Sequence, residues 1–210
     1  MIQDKERLND EQESLRTALE GMQSKLWTSL PAIIVSVNYA AQTLSAQPSI
    51  MGIVEDANGK ISNVKLPLLV DVPFQSFGGA GFIVTMPNLE GSECLITFSS
   101  RCIDGWWQSG GVQPQAEQRM HDLSDGFATL GFNSQVRVIP SYSTTAVEVR
   151  TFDGATKIGL TAGTVTITAA HTIMTGDLTV TGDVKGNGTS LHTHTHSGVS
   201  TGTSNTGVPN

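Results

Sequence analysis

The last seventy residues constrain the fold most, because they contain almost nothing that could fill a globular core. No aromatic residue follows Phe152, and threonine, glycine and valine dominate. Apolar residues recur at every second position, as in Val147 and Val149 and again in Val165 and Ile167, which is the period of a β-strand. One copy would bury only a thin apolar row and would expose long strand edges. We therefore expect three copies to intertwine and to pool their apolar rows on one axis.

A histidine tract lies near the C-terminus. In the segment SLHTHTHSGV, His192, His194 and His196 alternate with threonine, so on an extended strand all three imidazoles would line one edge. Two imidazoles from each of three chains would supply 3 × 2 = 6 nitrogens, enough for an octahedral site, and imidazole suits iron, nickel, copper and zinc. A solvated histidine-rich tail is the alternative. His171 also has the inward phase, and we favour a packed or water-bonded role for it over a second axial ligand site.

Composition excludes several classes of protein. The net charge of −7 and the lack of a basic cluster argue against nucleic-acid binding. The N-terminus has no apolar stretch that could act as a signal peptide, so we expect synthesis in the cytoplasm without ordinary secretion. The longest apolar run, from Ala32 to Val37, is too short to span a bilayer. Two cysteines make no disulfide framework, and the phase of Cys94 predicts a small core residue.

The N-terminal two thirds divides into a helix, a β domain and a less regular stretch. Residues 1–27 predict a helix with one apolar stripe, which needs a partner: its own domain, other copies, or another protein. Residues 28–112 predict five or six short strands in a small closed barrel of the OB type. Asn58-Gly59 predicts a hairpin turn, and the glycine-rich loop at 77–82 predicts a tight turn rather than a phosphate cradle. The helical stripe consists of Leu8, Leu15, Leu19, Met22 and Leu26.

Two short motifs after the β domain have a structural and a functional interpretation. Trp106 and Trp107 would point to opposite faces of a strand, and packing is a better interpretation than a sugar-binding platform. The run His121–Asp125 combines a histidine, a hydroxyl and two carboxylates. Five consecutive residues rarely assemble a nucleophile, a base and an orienting group, so we predict a turn or helix start with Asp122 or Ser124 as a cap.

Several blocks together resemble one family, the central spike or membrane-puncturing proteins of contractile-tailed bacteriophages. This is the baseplate assembly protein V and phage Mu spike group, and in particular its branch with an N-terminal OB domain. The resemblance covers roughly residues 26–210. The residues that carry it are LWTSLPAIIVSVN, LPLLVDVPF with FGGAGF, RCIDGWWQSGGVQP, HDLSDGFATLGF and the tail SLHTHTHSGVSTGTSNTGVPN.

The resemblance implies a homotrimer in which OB domains join the tail tube or baseplate hub and a triple-stranded β-helix forms a needle. It implies one iron ion per trimer, with six histidine ligands at the pointed tip. The family pattern S-L-x-x-H-x-H-x-G-V falls on Ser190, Leu191, His194, His196, Gly198 and Val199. His194 and His196 are therefore the implied ligands, and His192 is a possible outer neighbour.

The predicted fold class is thus all-β, with an N-terminal helix, an OB-fold barrel and a trimeric, intertwined C-terminal β-helix. The implied function is a virion tail spike that pierces the host outer membrane without catalysis, with the N-terminal helix docking to the hub. The predicted boundaries are 1–27 for the helix, 28–112 for the OB-fold domain, 113–145 for a linker or neck, 146–190 for the needle and 191–210 for the metal-binding tip.

Three alternatives stay open at the level of sequence. A tail-associated cell-wall or metal hydrolase would need a carboxylate base near the histidines, and no Asp or Glu follows Asp183. A receptor-binding fibre tip would need aromatic residues near the apex. The spike of a bacteriocin or of a secretion system would share the whole architecture.

Overall fold

A computed structural model describes residues 11–87, 89–198 and 202–203. The chain is mostly β, as predicted, and it divides into two compact units between Pro140 and Ser141. Among the described residues, no helix is both long enough and apolar enough to cross a membrane.

The first unit contains two helices and nine strands in the residues that the structure describes. They are α1 (Glu11–Gln23), β1 (Ser29–Asn38), β2 (Thr43–Pro48), β3 (Met51–Glu55), β4 (Ile61–Lys65), β5 (Leu69–Pro73), β6 (Phe77–Gly79), β7 (Phe82–Val84), β8 (Glu93–Phe98), α2 (Asp104–Ser109) and β9 (Gly126–Leu130), followed by a 3₁₀ turn at Gln135–Arg137.

Five of these strands form one antiparallel sheet in the order β5-β2-β1-β8-β9. A β-bulge between Ile34 and Ser36 curls β1, and a parallel bridge from Phe74 to Ala128 brings the two edges of the sheet together. The result is a curled half-barrel, consistent with the predicted OB-like fold. The buried core on its concave side consists of Ala32, Ile34, Leu44, Ala46, Leu69, Val72, Leu89, Cys94, Ile96, Phe98 and Ala128.

The bulge also decides which residues of β1 face this core. Within the apolar run from Ala32 to Val37, Ala32 and Ile34 are buried, whereas Ile33 and Val35 are exposed. The extra residue of the bulge shifts the phase, so that Val37 packs against the core after all. Both phases of this strand are apolar, which is why periodicity alone could not choose between them.

Two hairpins stand apart from the five-stranded sheet. Strands β3 and β4 pair around Asn58-Gly59, as predicted, and Gly59 has a φ of +78°. The Asp56 carboxylate accepts hydrogen bonds from the backbone N–H groups of Asn58 and Lys60 and closes this turn. Strands β6 and β7 form the second hairpin, and the glycine loop is a tight turn there, as predicted.

Helix α1 ends before residue 27, the C-terminal bound predicted from the sequence. It ends at Gln23, and residues 1–10, which include Leu8, lie outside the described part of the chain. Leu15, Leu19 and Met22 on its apolar stripe are exposed. Within the described residues, this stripe is therefore uncovered.

Two predictions for the stretch after Phe98 differ from the structure. Trp106 and Trp107 lie on the short helix α2 and not on a strand. In addition, the stretch predicted as a linker or neck, 113–145, contains β9, which is an edge strand of the main sheet. The alternation in β9 is hard to recognise because two of its three inward residues, Gly126 and Ala128, are small, and only Leu130 is a large apolar residue.

The second unit contains a three-stranded antiparallel sheet, β10-β11-β12, and a two-residue hairpin, β13-β14. The predicted β-helix needle spans residues 146–190, but between β12 and β13 there is no strand. A strand needs a neighbour for its backbone hydrogen bonds, and a single chain supplies none there. The strands of this unit are β10 (Val147–Arg150), β11 (Lys157–Thr161), β12 (Thr164–Thr168), β13 (Lys185–Gly186) and β14 (Thr189–Ser190).

The tight packing between β8 and β9 generates a prediction. A Cβ at Gly126 would lie 2.8 Å from Cγ2 of Ile96, which is fully buried and cannot move aside. We expect Gly126→Ala to lower the free energy of unfolding by about 1–3 kcal/mol. Denaturant unfolding at fixed protein concentration measures this. Gly79→Ala, where a Cβ meets nothing within 4 Å, is the matched control, and equal losses in both variants would contradict the packing argument.

Candidate functional site

The two predicted metal ligands lie next to each other. The rings of His194 and His196 are 5.1 Å apart between centroids and nearly perpendicular, at 81°. Both side chains are exposed. The chain therefore presents a pair of imidazoles at one place, as the sequence pattern predicts.

The backbone that carries them is not the extended strand assumed from the sequence. Residues 191–193 form a turn, in which the N–H of His194 donates to the carbonyl of Ser190 at 3.1 Å. The Leu191 N–H donates to the carbonyl of Val184 at 2.8 Å and ties the turn to the β13-β14 hairpin. The turn, and not strand alternation, thus sets the positions of the rings.

The other predicted residues near the tip have less direct roles. His192 takes part through its backbone N–H, and His171 lies exposed in the strand-free stretch between β12 and β13. Gly198 follows the pair with a φ of +80°, whereas Val199, the last position of the motif, lies outside the described residues.

A single chain does not assemble a complete metal site from these histidines. Two imidazoles leave most of a coordination shell open, and the donor set of two neutral nitrogens per chain fits a shell shared between copies. The geometry is therefore compatible with the predicted ions, and the two imidazoles by themselves would fill only part of a coordination shell.

Another group of metal-binding residue types is already neutralised by a side chain. In the described part of the chain, three such residues lie close together only at Cys102, Asp104 and Asp125. The Arg119 guanidinium occupies this cluster, with Nη2 2.8 Å from Asp104 Oδ2, 3.1 Å from Asp125 Oδ1 and 3.3 Å from Cys102 Sγ. A fixed cation stands where a metal would bind, so this is an ion-pair network.

The network is a structural centre of the first unit that sequence analysis missed. Asp125 is 0% exposed, and its Oδ1 also accepts the N–H of Ile103 at the start of α2. The hydrogen bonds that Arg119 donates to Asp125 and to Asp104 hold the pKa of Arg119 above its usual range, and the bond accepted by Asp104 holds the pKa of that carboxyl below its usual range. The run His121–Asp125 forms a turn, as predicted. In this turn, Asp122 accepts hydrogen bonds from the N–H and the hydroxyl of Ser124.

The tryptophans of α2 line an open cavity of about 360 Å³. Trp106 packs on Phe127 with ring centroids 5.5 Å apart, and both tryptophans remain about two-fifths exposed. Their packing role, predicted from sequence, is confirmed for Trp106. The remaining lining residues are Gln42, Pro73, Phe74, Gln75, Ala128 and Thr129.

The half-barrel is also the part of the chain that resembles a known family. Residues 30–131 match the model of the Phage protein Gp138 N-terminal domain. The chain carries a phage-protein domain. The match begins within β1 and ends just after β9, so it covers the whole five-stranded sheet and the Arg119 network, and it stops before the histidine pair. The comparison with curated proteins gave no match.

The Arg119 network generates a prediction about stability. Arg119→Met leaves the buried Asp125 carboxylate without its cation, and we expect a loss of about 3 kcal/mol in the free energy of unfolding. Arg119→Met with Asp125→Asn should recover part of that loss, because the amide oxygen still accepts the Ile103 N–H without a charge. Chemical denaturation at neutral pH measures both variants.

Arg101→Met is the matched control, since Arg101 is exposed and bonds only the adjacent Ser100 carbonyl through its guanidinium. Its effect should stay within about 0.5 kcal/mol. A similar loss in Arg101→Met and Arg119→Met would argue against a special role for the buried network.

Proposed function

We propose that this chain is the structural spike at the tip of a contractile phage tail, where a trimer pierces the host outer membrane and a metal ion staples its apex. The phage-protein domain supports a structural role in a phage. The observation that carries the finer proposal is an uncovered apolar face on the second unit.

This face is built by cross-strand pairs of the β10-β11-β12 sheet. Val147 pairs with Leu160, which pairs with Val165, and the next row aligns in the same way, so six apolar side chains point to one side. They are 45–70% exposed. The six residues are Val147, Val149, Ile158, Leu160, Val165 and Ile167.

The opposite face is polar, yet it is the better covered of the two. The Glu148 side chain is only 9% exposed and lies between Arg150, at 3.2 Å, and Lys157, at 2.8 Å. The Arg150 guanidinium also donates to the carbonyl of Ser141. A monomeric sheet would cover its apolar side and expose its charges, so this inverted arrangement favours burial of the apolar face against other copies of the chain.

A trimer would satisfy both the apolar sheet and the histidine pair of the second unit. Three apolar faces turned toward one axis would form a closed core of small side chains and leave no bare sheet, and the strand-free stretch between β12 and β13 would gain neighbours for its backbone. At the apex, His194 and His196 from three chains would hold one iron ion through six nitrogens. The ion supplies a cross-link between the chains at the point where their ends would otherwise separate.

The proposed mechanism is mechanical and includes no catalytic step. Tail contraction would drive the trimer forward, the base would stay attached to the hub or tail tube, and a slender needle would concentrate the force on the membrane. The exposed stripe of α1 is available for that attachment. Backbone hydrogen bonds and the Ser190 side chain hold the turn at the histidines in one conformation. A fixed conformation suits the apex of a needle.

The apolar face generates a prediction about oligomeric state. Ile167→Asp places a charge in the proposed axial core, and we expect the mass in solution to fall from three times the 22.2 kDa chain mass toward one. Light scattering after size-exclusion chromatography measures this. Thr166→Asp, on the opposite face of the same strand, is the matched control and should stay trimeric; dissociation of the Thr166 variant alone would reverse the assignment of faces.

The histidine pair generates a prediction about metal content. Untagged wild-type protein should contain about one iron per three chains, measured by plasma mass spectrometry. His194→Ala with His196→Ala should remove the iron and leave the trimer intact, because the apolar face and not the ion holds the chains together. His171→Ala is the matched control and should keep the iron. Stoichiometric iron in the double variant would contradict the ligand assignment.

A further inference from the structure

We propose that Ser190, held by Asp183, is a positioning residue that fixes the imidazole of His194 so that its Nε2 faces the metal. This inference rests on the proposed metal site and concerns residues that coordinate nothing themselves. It follows from the hydrogen bonds of the turn at residues 190–194.

The tautomer of His194 follows from the chemistry of its partners. Its Nδ1 lies 3.1 Å from the carbonyl oxygen of Ser190 and 3.1 Å from that of Leu191. Carbonyl oxygens only accept hydrogen bonds, so Nδ1 must carry the proton. In the neutral ring the lone pair then resides on Nε2, on the far side of the imidazole from the backbone. His194 therefore offers a ligand through Nε2.

The Ser190 hydroxyl shapes the turn that makes this contact possible. Its Oγ accepts the backbone N–H of His192 at 3.1 Å and that of Thr193 at 3.0 Å. The carbonyl of the same residue accepts both the N–H and the Nδ1–H of His194. One serine thus closes the turn with its side chain and orients the ring with its backbone.

Asp183 sets the direction of the Ser190 hydroxyl. Its Oδ1 lies 2.8 Å from Ser190 Oγ and accepts the hydroxyl proton, which leaves the oxygen lone pairs of Ser190 for the two backbone N–H groups. A hydroxyl has one proton to donate and two lone pairs, so all its bonds are used. Lys185 pairs with Ser190 in the β13-β14 hairpin, and this pairing brings the nearby Asp183 close to Ser190.

The two ligands of one chain are then held differently. His194 is tied through Nδ1, whereas within the described residues no hydrogen bond restrains a ring nitrogen of His196. An orienting partner behind a metal-binding histidine typically contributes 10- to 100-fold to metal affinity. We therefore expect Ser190 to contribute to affinity and tautomer without changing the number of ions bound.

The test compares full-length wild-type protein with Ser190→Ala, Ser190→Thr and Asp183→Ala. Nitrogen-15 NMR of labelled histidines in the metal-free protein, at a pH where the rings are neutral, reports the tautomer of His194. We expect the Nδ1–H form in the wild type and in Ser190→Thr, and a mixture of tautomers in the two alanine variants. Competition with a chelator should show Fe²⁺ binding weakened by about 10-fold or more in Ser190→Ala, with one ion per trimer at saturation.

Ser197→Ala is the matched control, because this exposed serine is near both histidines and its side chain makes no hydrogen bond within the described residues. It should leave tautomer and affinity unchanged. An unchanged tautomer and affinity in Ser190→Ala would overturn the positioning role while leaving the metal site in place. Absence of iron in the wild type would instead reject the proposed metal site, and the tautomer measurement would still decide whether Ser190 orients His194. If Ser190→Ala loses the trimer, rescue of tautomer and affinity by Ser190→Thr supports the role, and failure of that rescue in a trimeric protein opposes it.

Discussion

A single β layer has two faces and can cover neither by itself, and this constraint governs the second unit of the chain. Its six aligned apolar side chains find no second layer, while its charged residues are paired and partly buried on the other side. The same unit has no strand between β12 and β13, and it presents two imidazoles that would fill only part of a metal shell. These features support the proposed trimer.

The first unit solves the same problem within one chain. Its sheet curls through a β-bulge until its edges meet at Phe74 and Ala128, so the concave face closes over its own core. The loop that follows α2 is fixed by the Arg119 network, whose buried carboxylate binds an arginine and a backbone N–H at once. The phage-domain match covers this sheet and none of the second unit, which agrees with the division of the chain into two units.

Local signals in the sequence predict the parts of the fold whose cause is local. The Asn58-Gly59 hairpin, the tight glycine loop and the core position of Cys94 each depend on a few adjacent residues, and the structure confirms them. The phase of β1 could not be predicted in this way, because the run from Ala32 to Val37 is apolar on both faces and a bulge shifts its register. Two tryptophans in succession say little about strand or helix, so the helix α2 was missed.

The candidate site shows the same division. The spacing of His194 and His196 is visible in the sequence, and their proximity follows from it. The hydrogen bonds that orient His194 are not visible in the sequence. The role of Ser190 depends on its contact with Asp183 across a hairpin whose strands are only two residues long. The Arg119 network was missed for a related reason: its carboxylates are 6 and 15 residues away in the chain, and only the fold brings them around one guanidinium.

The burial of both cysteines has a consequence for their sensitivity to oxidation. Cys94 is 1% exposed and Cys102 9% exposed, neither is in a disulfide, and burial raises the pKa of the Cys94 thiol to about 11. The thiolate is the form that oxidants and disulfides attack, and this fold keeps Cys94 protonated and both sulfurs away from solvent. We therefore expect neither cysteine to form covalent links between chains, whether the surrounding solution is reducing or aerated.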